Sequence, residues 1–419
     1  MRQYFTYDET KPEKFIFTIM ILFASSLVVF GFFCDTPQGI LAGLITIIQS
    51  QAGLITDSME VGGMGAAFVN AGMVMFLSIA LLKVGKLSFT GISIACLLLM
   101  AGFSLFGKDI CNITPIIGGG WLYALYKKEH FGKYLYISLF GTALAPVVTE
   151  LPVTTGMVGI HGVLLSVGTG VLIGFLLPAI AAYTMQVHQG YNLYNVGFTA
   201  GLVGMVIVSI LKFLGYSFVE RLVWSSGNNL KLSILLFIQF AAMIIIGYFC
   251  NHRSFKYVLN ITRHSGRAVA DFVMLDGFAV TLINMGVIGT AATWYVLTVG
   301  GDLNGPTLGG IYTICGFGAF GKHIRNISPV VLGVVIISLF SARQLNQPSM
   351  MLAALFSTAL APIAGQYGWW WGSVAGAIHV SVVLNTGMLH AGLNLYNNGF
   401  AAGLVCVVLV PLIEALKKD

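Results

Sequence analysis

The chain has 419 residues, of which 57% are apolar and only 9% charged, with a formal net charge of +6. A soluble domain carries roughly 25% charged residues, so a soluble protein of this length is excluded for want of ions to cover its surface. In so apolar a chain the basic excess does not point to nucleic acid; it marks the cytoplasmic face of a membrane protein.

Residues 1–13 form a charged segment expected on the cytoplasmic side. The first apolar run, 15–33, has no small-residue cleavage site and is followed by further runs, so it reads as a span and not a signal peptide. Runs at 65–82, 91–106, 162–182, 197–213, 232–249, 280–299 and 402–412 approach the ~20 residues that cross a bilayer. Two shorter segments, 115–126 and 134–145, complete the first half. Thr114-Pro115, like Ser328-Pro329 later, reads as an N-cap followed by proline at the first helical position. A helix from Pro115 meets Lys127 after about 12 residues, roughly 18 Å, which is short of the ~30 Å hydrocarbon core. The next segment is expected to end at Pro146. Short, discontinuous helices follow from this spacing, and their freed backbone groups must be buried in protein or face a wet cavity.

The chain repeats itself. His188-Gln-Gly-Tyr-Asn-Leu-Tyr-Asn-Val-Gly-Phe-Thr-Ala-Gly201 returns, with four differences, as His390-Ala-Gly-Leu-Asn-Leu-Tyr-Asn-Asn-Gly-Phe-Ala-Ala-Gly403. Phe106-Gly-Lys-Asp-Ile-Cys-Asn-Ile-Thr-Pro115 returns as Phe320-Gly-Lys-His-Ile-Arg-Asn-Ile-Ser-Pro329, and Thr142-Ala-Leu-Ala-Pro146 as Thr358-Ala-Leu-Ala-Pro362. Asp57, Gly63, Asn70 and Gly72 align with Asp271, Gly277, Asn284 and Gly286 at one offset. Constant order makes these two whole repeats, 14–215 and 230–419, joined by a linker over 216–229. Seven segments per repeat, an odd number, place the second copy upside down. With the N-terminus inside, all but five of the 21 lysines and arginines (Lys108, Lys212, Arg221, Lys231 and Arg343) fall on the inner side. The fold class is therefore an all-α membrane protein of two inverted-topology repeats, each of about seven segments including short discontinuous helices. That architecture points to a binding site near the bilayer midplane.

The repeated motif supplies candidate ligands. At 100° per residue His188, Asn192, Asn195 and Thr199 share one helix face, opposite Gly197 and Gly201, whose spacing suits close helix packing; His390, Asn394 and Asn397 repeat the pattern. Asparagine amides and the tyrosines Tyr194 and Tyr396 can hold a polar solute without a buried charge, or serve as caps and interhelical ties. Asn112 and Asn326 sit at the expected helix breaks. Lys108 and Lys322, in the same motif, are expected to snorkel to the headgroups as anchors, or else to stand as fixed cations in a pathway. Glu150, whose counterpart is Gln366, and the repeated Asp57 and Asp271 are candidates for coupling to an ion, or for a loop carboxylate and helix caps. The six cysteines form no CxxC pair, so neither a metal site nor a disulfide frame is expected, and no cofactor. Enzyme fingerprints are absent, and an enzyme is not expected.

At its repeated His-x-Gly-x-Asn-Leu-Tyr-Asn block the chain resembles an uncharacterised bacterial membrane family carrying a tandemly repeated domain of unknown function. In architecture alone it is similar to nucleobase and anion transporters and to urea channels, and no site residue is carried over from them. The expected function is membrane transport of a small polar solute at the interface of the repeats, coupled to a proton or cation. A passive channel for a small neutral solute, and a membrane-embedded enzyme or receptor, are the alternatives. The expected setting is the bacterial inner membrane, multi-pass with both termini cytoplasmic, among lipid, without nucleic acid and compatible with a homo-oligomer.

Overall fold

The computed structural model describes residues 12–219 and 221–416. The chain ends, and with them most of the expected cytoplasmic segment 1–13, lie outside the described residues. The first repeat runs α1 (Pro12–Cys34), α2 (Pro37–Gln49), β1 (Ile55–Thr56), α3 (Ser58–Gly62), α4 (Met64–Val84), α5 (Gly91–Phe103), α6 (Ile110–Lys127), α7 (Gly132–Gly141), α8 (Ala145–Thr155), α9 (Gly159–Val187) and α10 (Asn195–Phe213). After β2 (Leu222–Val223) the second runs α11 (Asn229–Cys250), α12 (Phe272–Asp276), α13 (Phe278–Thr298), α14 (Gly305–Phe317), α15 (Ile324–Ser338), α16 (Pro348–Ser357), α17 (Ala361–Tyr367), α18 (Trp369–Thr386) and α19 (Asn397–Leu416). The chain is an all-α membrane protein of two repeats. Ten helical stretches among the described residues are long and apolar enough to cross a bilayer, five in each repeat. The β1–β2 contact is a two-residue parallel tie between the first repeat and the linker.

At the centre lie α5 and α14, equivalent helices of 13 residues each. Every residue of α14, and all of α5 but Ile92, is buried, as expected of helices that are apolar on all faces. They run antiparallel. A Cβ added to Gly91, at the start of α5, would sit 2.2 Å from the carbonyl oxygen of Ala319, past the end of α14. One added to Gly305, at the start of α14, would sit 2.2 Å from that of Leu105, past the end of α5. Around this pair α1 packs on α4 and α11 on α13, while α6 packs on α9 and α15 on α18.

Each central helix turns back on itself. The α5–α6 connection, 104–109, is interior, and the chain then returns to its starting end, where a Cβ on Gly132 would lie 2.5 Å from the carbonyl oxygen of Gly85. Thus α5 and α6 form a hairpin with a buried tip. Asn70 Nδ2 closes that tip by donating to the carbonyls of Ser104 and Lys108, both at 2.8 Å. Asn284 does the same for Gly318 and Lys322, at 2.8 Å.

Three expectations are corrected. The helix expected from Pro115 begins at Ile110, because Asp109 caps it first: its Oδ1 accepts from the N–H groups of Cys111 (2.7 Å) and Asn112 (3.0 Å). In the second repeat His323 Nδ1 does so from Asn326, at 3.2 Å. Pro115 and Pro329 fall inside these helices. Nor does a helix end at Pro146. The 3-10 turn Thr142–Leu144 kinks a span that continues through α8, with Pro146 in its first turn, where a missing N–H costs no helical bond. Finally, the segments expected in the first repeat leave out α2, which lies between the runs 15–33 and 65–82. Thr36 Oγ1 accepts from Gly39 N–H at 3.2 Å to start α2, whose Leu41, Ile45 and Ile48 face outward.

Where α10 and α19 cross, Gly197 and Gly399 bring two backbones together; a Cβ on Gly197 would stand 3.1 Å from the Cα of Gly399. A Cβ on Gly201 would lie 2.2 Å from the ring of Phe400, and on Gly403 2.3 Å from that of Phe198. Gly201→Leu and Gly403→Leu are therefore expected each to cost about 1–3 kcal/mol by overpacking, read as a lower Tm and yield in detergent. Gly118→Leu, on α6 with nothing within 4 Å of its Cβ position, should leave both unchanged.

Candidate functional site: two cavities and a constriction

The repeated motif does not form one continuous helix, for α10 starts at Asn195 and α19 at Asn397. The residues before each helix form a loop that reaches across to the other repeat. Leu193 N–H donates to Ala359 and Leu395 N–H to Ala143, at 3.0 and 2.9 Å, which satisfies carbonyls at the two 3-10 kinks. Asn192 Nδ2 donates to the Gly399 carbonyl (2.9 Å) and Asn394 Nδ2 to that of Gly197 (3.2 Å). Their Oδ1 atoms accept from Tyr194 and Tyr396 N–H at 2.9 and 3.0 Å. Asn195 Oδ1 meets His188 Nε2 (2.8 Å) and Thr184 Oγ1 (2.9 Å), and its Nδ2 donates to Ala181. Asn397 has the same partners in His390 (2.9 Å), Thr386 (2.8 Å) and the Val383 carbonyl. Asn112 and Asn326 Oδ1 accept from the N–H groups of Asp109 and His323. These six amides hold backbone.

The carboxylates divide. Asp57 Oδ1 accepts from Met59 N–H (2.9 Å) and Gly305 N–H (3.2 Å), and its Oδ2 takes the N–H and hydroxyl of Ser225. Asp271 Oδ1 accepts from Val273, Met274 and, at 3.0 Å, Gly91 N–H. Each caps its own short helix and also the central helix of the other repeat. Glu150 instead is half-buried on the wall of a cavity with Arg221 and Arg343.

The lysines of the Phe-Gly-Lys motif are buried, 1% exposed at Lys108 and 0% at Lys322, and are not headgroup anchors. The hairpins carry them inward on tips that are themselves almost wholly buried. Each ammonium reaches the opposite repeat: Lys108 donates to the Tyr396 hydroxyl, with Met100 Sδ 3.5 Å away, and Lys322 to the Tyr194 hydroxyl and, at 2.7 Å, to Thr358 Oγ1. Lys108 Nζ lies 4.6 Å from the Tyr396 ring centre, and Lys322 Nζ 4.5 Å from that of Tyr194. Among the described residues no carboxylate is paired with either. The repeat of Phe-Gly-Lys in both copies, followed by Asp109 in one and His323 in the other, was the signal for these residues in the sequence.

These tyrosines separate two cavities. The first, about 510 Å³, is bounded by 53–55, 218–219, 221–222 and 387–398. The second, about 320 Å³, is bounded by 181–197, 268–269 and the aromatic rings of Phe317 and Phe320. Phe106, Leu395 and Asn397 line the first; their equivalents Phe320, Leu193 and Asn195 line the second. The first lies beside Asp57 at the start of α14 and the second beside Asp271 at the start of α5, so they open at opposite ends of the antiparallel central pair. Between them is a space of only about 10 Å³ walled by Leu99, Phe103, Thr313, Phe356, Tyr194 and Tyr396. It shares Phe356, Leu395 and Asn398 with the first cavity, and Leu99, Tyr194 and Tyr396 with the second.

Fold and site thus define a multi-pass membrane protein with two tandem repeats that meet at a narrow centre. The chain belongs to a family described as a protein of unknown function (DUF1576), whose model matches twice, at residues 36–213 and 250–415. No curated protein and no solved structure matches the chain.

With their amides committed to backbone and imidazole, Asn195→Ala and Asn397→Ala are expected to lose about 1–3 kcal/mol each, the usual result of stranding a buried polar partner. A fall in Tm by differential scanning fluorimetry checks this. An unchanged Tm in both would mean the amides are free for a solute. Glu150→Gln, at the cavity wall, should leave Tm unaltered.

Proposed function

We propose that the chain carries a small polar solute across the bacterial inner membrane, from the cavity holding Glu150, past Tyr194 and Tyr396, to the cavity lined by Asn195. One observation carries the reading: two cavities lined by many equivalent residues meet at a constriction where the equivalent pairs Leu99 and Thr313, and Tyr194 and Tyr396, face one another. Inverted repeats generate such a route when a solute site lies on their common axis. Five crossings and one hairpin per repeat leave an odd count, which inverts the second copy. The bias of lysine and arginine toward one side agrees, with both termini cytoplasmic. Non-helical backbone at membrane depth is tolerated where it is buried or lines a cavity, and the hairpin tips and the 188–194 and 390–396 loops fit that condition. Glu150, without an acidic counterpart in the other repeat, is the residue suited to ion coupling; a passive channel uses the same path without it. An enzyme or receptor would use His188 and His390, but their ring nitrogens meet Asn195 and Asn397 and the backbone N–H groups of Asn192 and Asn394.

Two measurements test this. In a cysteine-free background, Gln38→Cys and Arg253→Cys, at exposed positions a few residues beyond α1 and α11, should label from opposite faces of intact cells with an impermeant maleimide. Labelling from one face would remove the inversion. In liposomes, Tyr396→Ala should open the constriction and raise protein-dependent flux of small solutes by about tenfold, a barrier lowered by ~1.4 kcal/mol. Flux at the parental rate in a folded variant would take the path away from the tyrosines.

A further inference from the structure

We infer that the solute is a small monovalent anion, held in passing by the Lys108–Tyr396 and Lys322–Tyr194 pairs; this rests on the transport reading and names the substrate class for that same path. An ammonium away from water is costly, and at membrane depth ionisable groups are found paired or lining a pathway. Lys108 and Lys322 have no paired carboxylate among the described residues. An ammonium has three donors. For Lys322 the Tyr194 and Thr358 hydroxyls take two, and for Lys108 the Tyr396 hydroxyl and the weakly accepting Met100 sulfur take two. One donor on each is left over, so each pair can accept a further negative charge.

The surroundings favour an anion over a cation or a neutral solute. Phe103 and Phe317 stand 5.4 and 5.3 Å from the two ammonium nitrogens, and such aromatic faces stabilise the lysine charge without cancelling it as a carboxylate would. The Tyr396 oxygen accepts from Lys108, which leaves its phenolic hydrogen to donate, and Tyr194 holds Lys322 in the same way; both tyrosines wall the constriction. A solute there meets donors backed by positive charge. Among the described residues the cavity on the Glu150 side is lined by two guanidinium groups, Arg221 and Arg343, and one carboxylate, a balance that favours anions. The constriction itself, at about 10 Å³, has room for little more than one water-sized body, so the anion is small and sheds most of its hydration. Rings of fixed cationic side chains select for anions in this way. Because the two pairs are equivalent across the repeats, the anion leaves one as it reaches the other, which keeps either from trapping it.

The test uses the full-length protein in liposomes, with potassium and valinomycin to dissipate charge. Flux is measured for chloride, nitrate, formate and acetate, for glycerol and urea, and for methylammonium. At least one anion should exceed both neutral solutes and the cation by about tenfold or more. Lys108→Met and Lys322→Met should each lower that anion flux about ten- to a hundredfold, the loss of a charge-assisted hydrogen bond, while Lys→Arg at either position retains part of it. Tyr194→Phe and Tyr396→Phe keep the rings and remove the hydroxyls; they should lower anion flux severalfold and decide the matter should the methionine variants misfold. Faster passage of glycerol, urea or methylammonium, or anion flux indifferent to folded lysine and tyrosine variants, overturns the anion assignment and leaves the transport path standing. Absence of protein-dependent flux for every solute, in the parent and in Tyr396→Ala alike, removes both.

Discussion

Backbone groups freed at broken helices must find partners inside a bilayer, where water is not at hand, and here each repeat finds them in the other. Asp57 of the first repeat caps α14 of the second, and Asp271 of the second caps α5 of the first. Leu193 and Leu395 donate across to the kinks at Ala359 and Ala143. Asn192 and Asn394 donate across to Gly399 and Gly197. The cavities, the constriction and the placement of the lysines all follow from this exchange, because it fixes two short helices and two hairpin tips at the centre instead of continuous spans.

The large features were legible in the sequence. Composition gave the membrane class, self-comparison gave the repeats, and the His-x-Gly-x-Asn-Leu-Tyr-Asn block marked the loops where the repeats meet. Helix boundaries were less legible. Pro115 stands out as punctuation in the sequence, but the reciprocal cap of Asp109 with Asn112 outweighs it and starts α6 earlier. Asn70 and Asn284 showed themselves as a repeated pair, yet their task of closing the hairpin tips needs the chain brought together over some 34 to 38 residues. Lysine is ordinarily an interfacial residue, and nothing local to Phe-Gly-Lys says that its neighbourhood is interior. Only tertiary packing places Tyr194 and Tyr396 against it.

The repeats have diverged where symmetry is not required. Asp109 caps α6, but its counterpart His323 caps α15 and also bonds the His264 carbonyl at 2.9 Å. Glu150 lines the larger cavity, while its counterpart Gln366 is exposed. The helix α2 has no helical equal in the second repeat, where the corresponding stretch holds a 3-10 turn, Val258–Arg263. The matched core, with Glu150, Arg221 and Arg343 on the wall of one cavity only, gives the two cavities different chemistry on one scaffold.

The exchange of caps also sets an order of assembly. Gly91, at the head of α5, bonds to a carboxylate 180 residues further along the chain, and the Ala143 carbonyl waits for Leu395. When the ribosome has delivered residue 213, the first repeat is complete as a sequence but unfinished as a folded body, its central helix held only by the local Thr90–Ser93 cap and its kink unpaired. It must be held in that state, by lipid headgroups, water or insertion machinery, until its successor arrives. The repeats are thus two in the sequence but one in folding, and neither is a domain that stands alone.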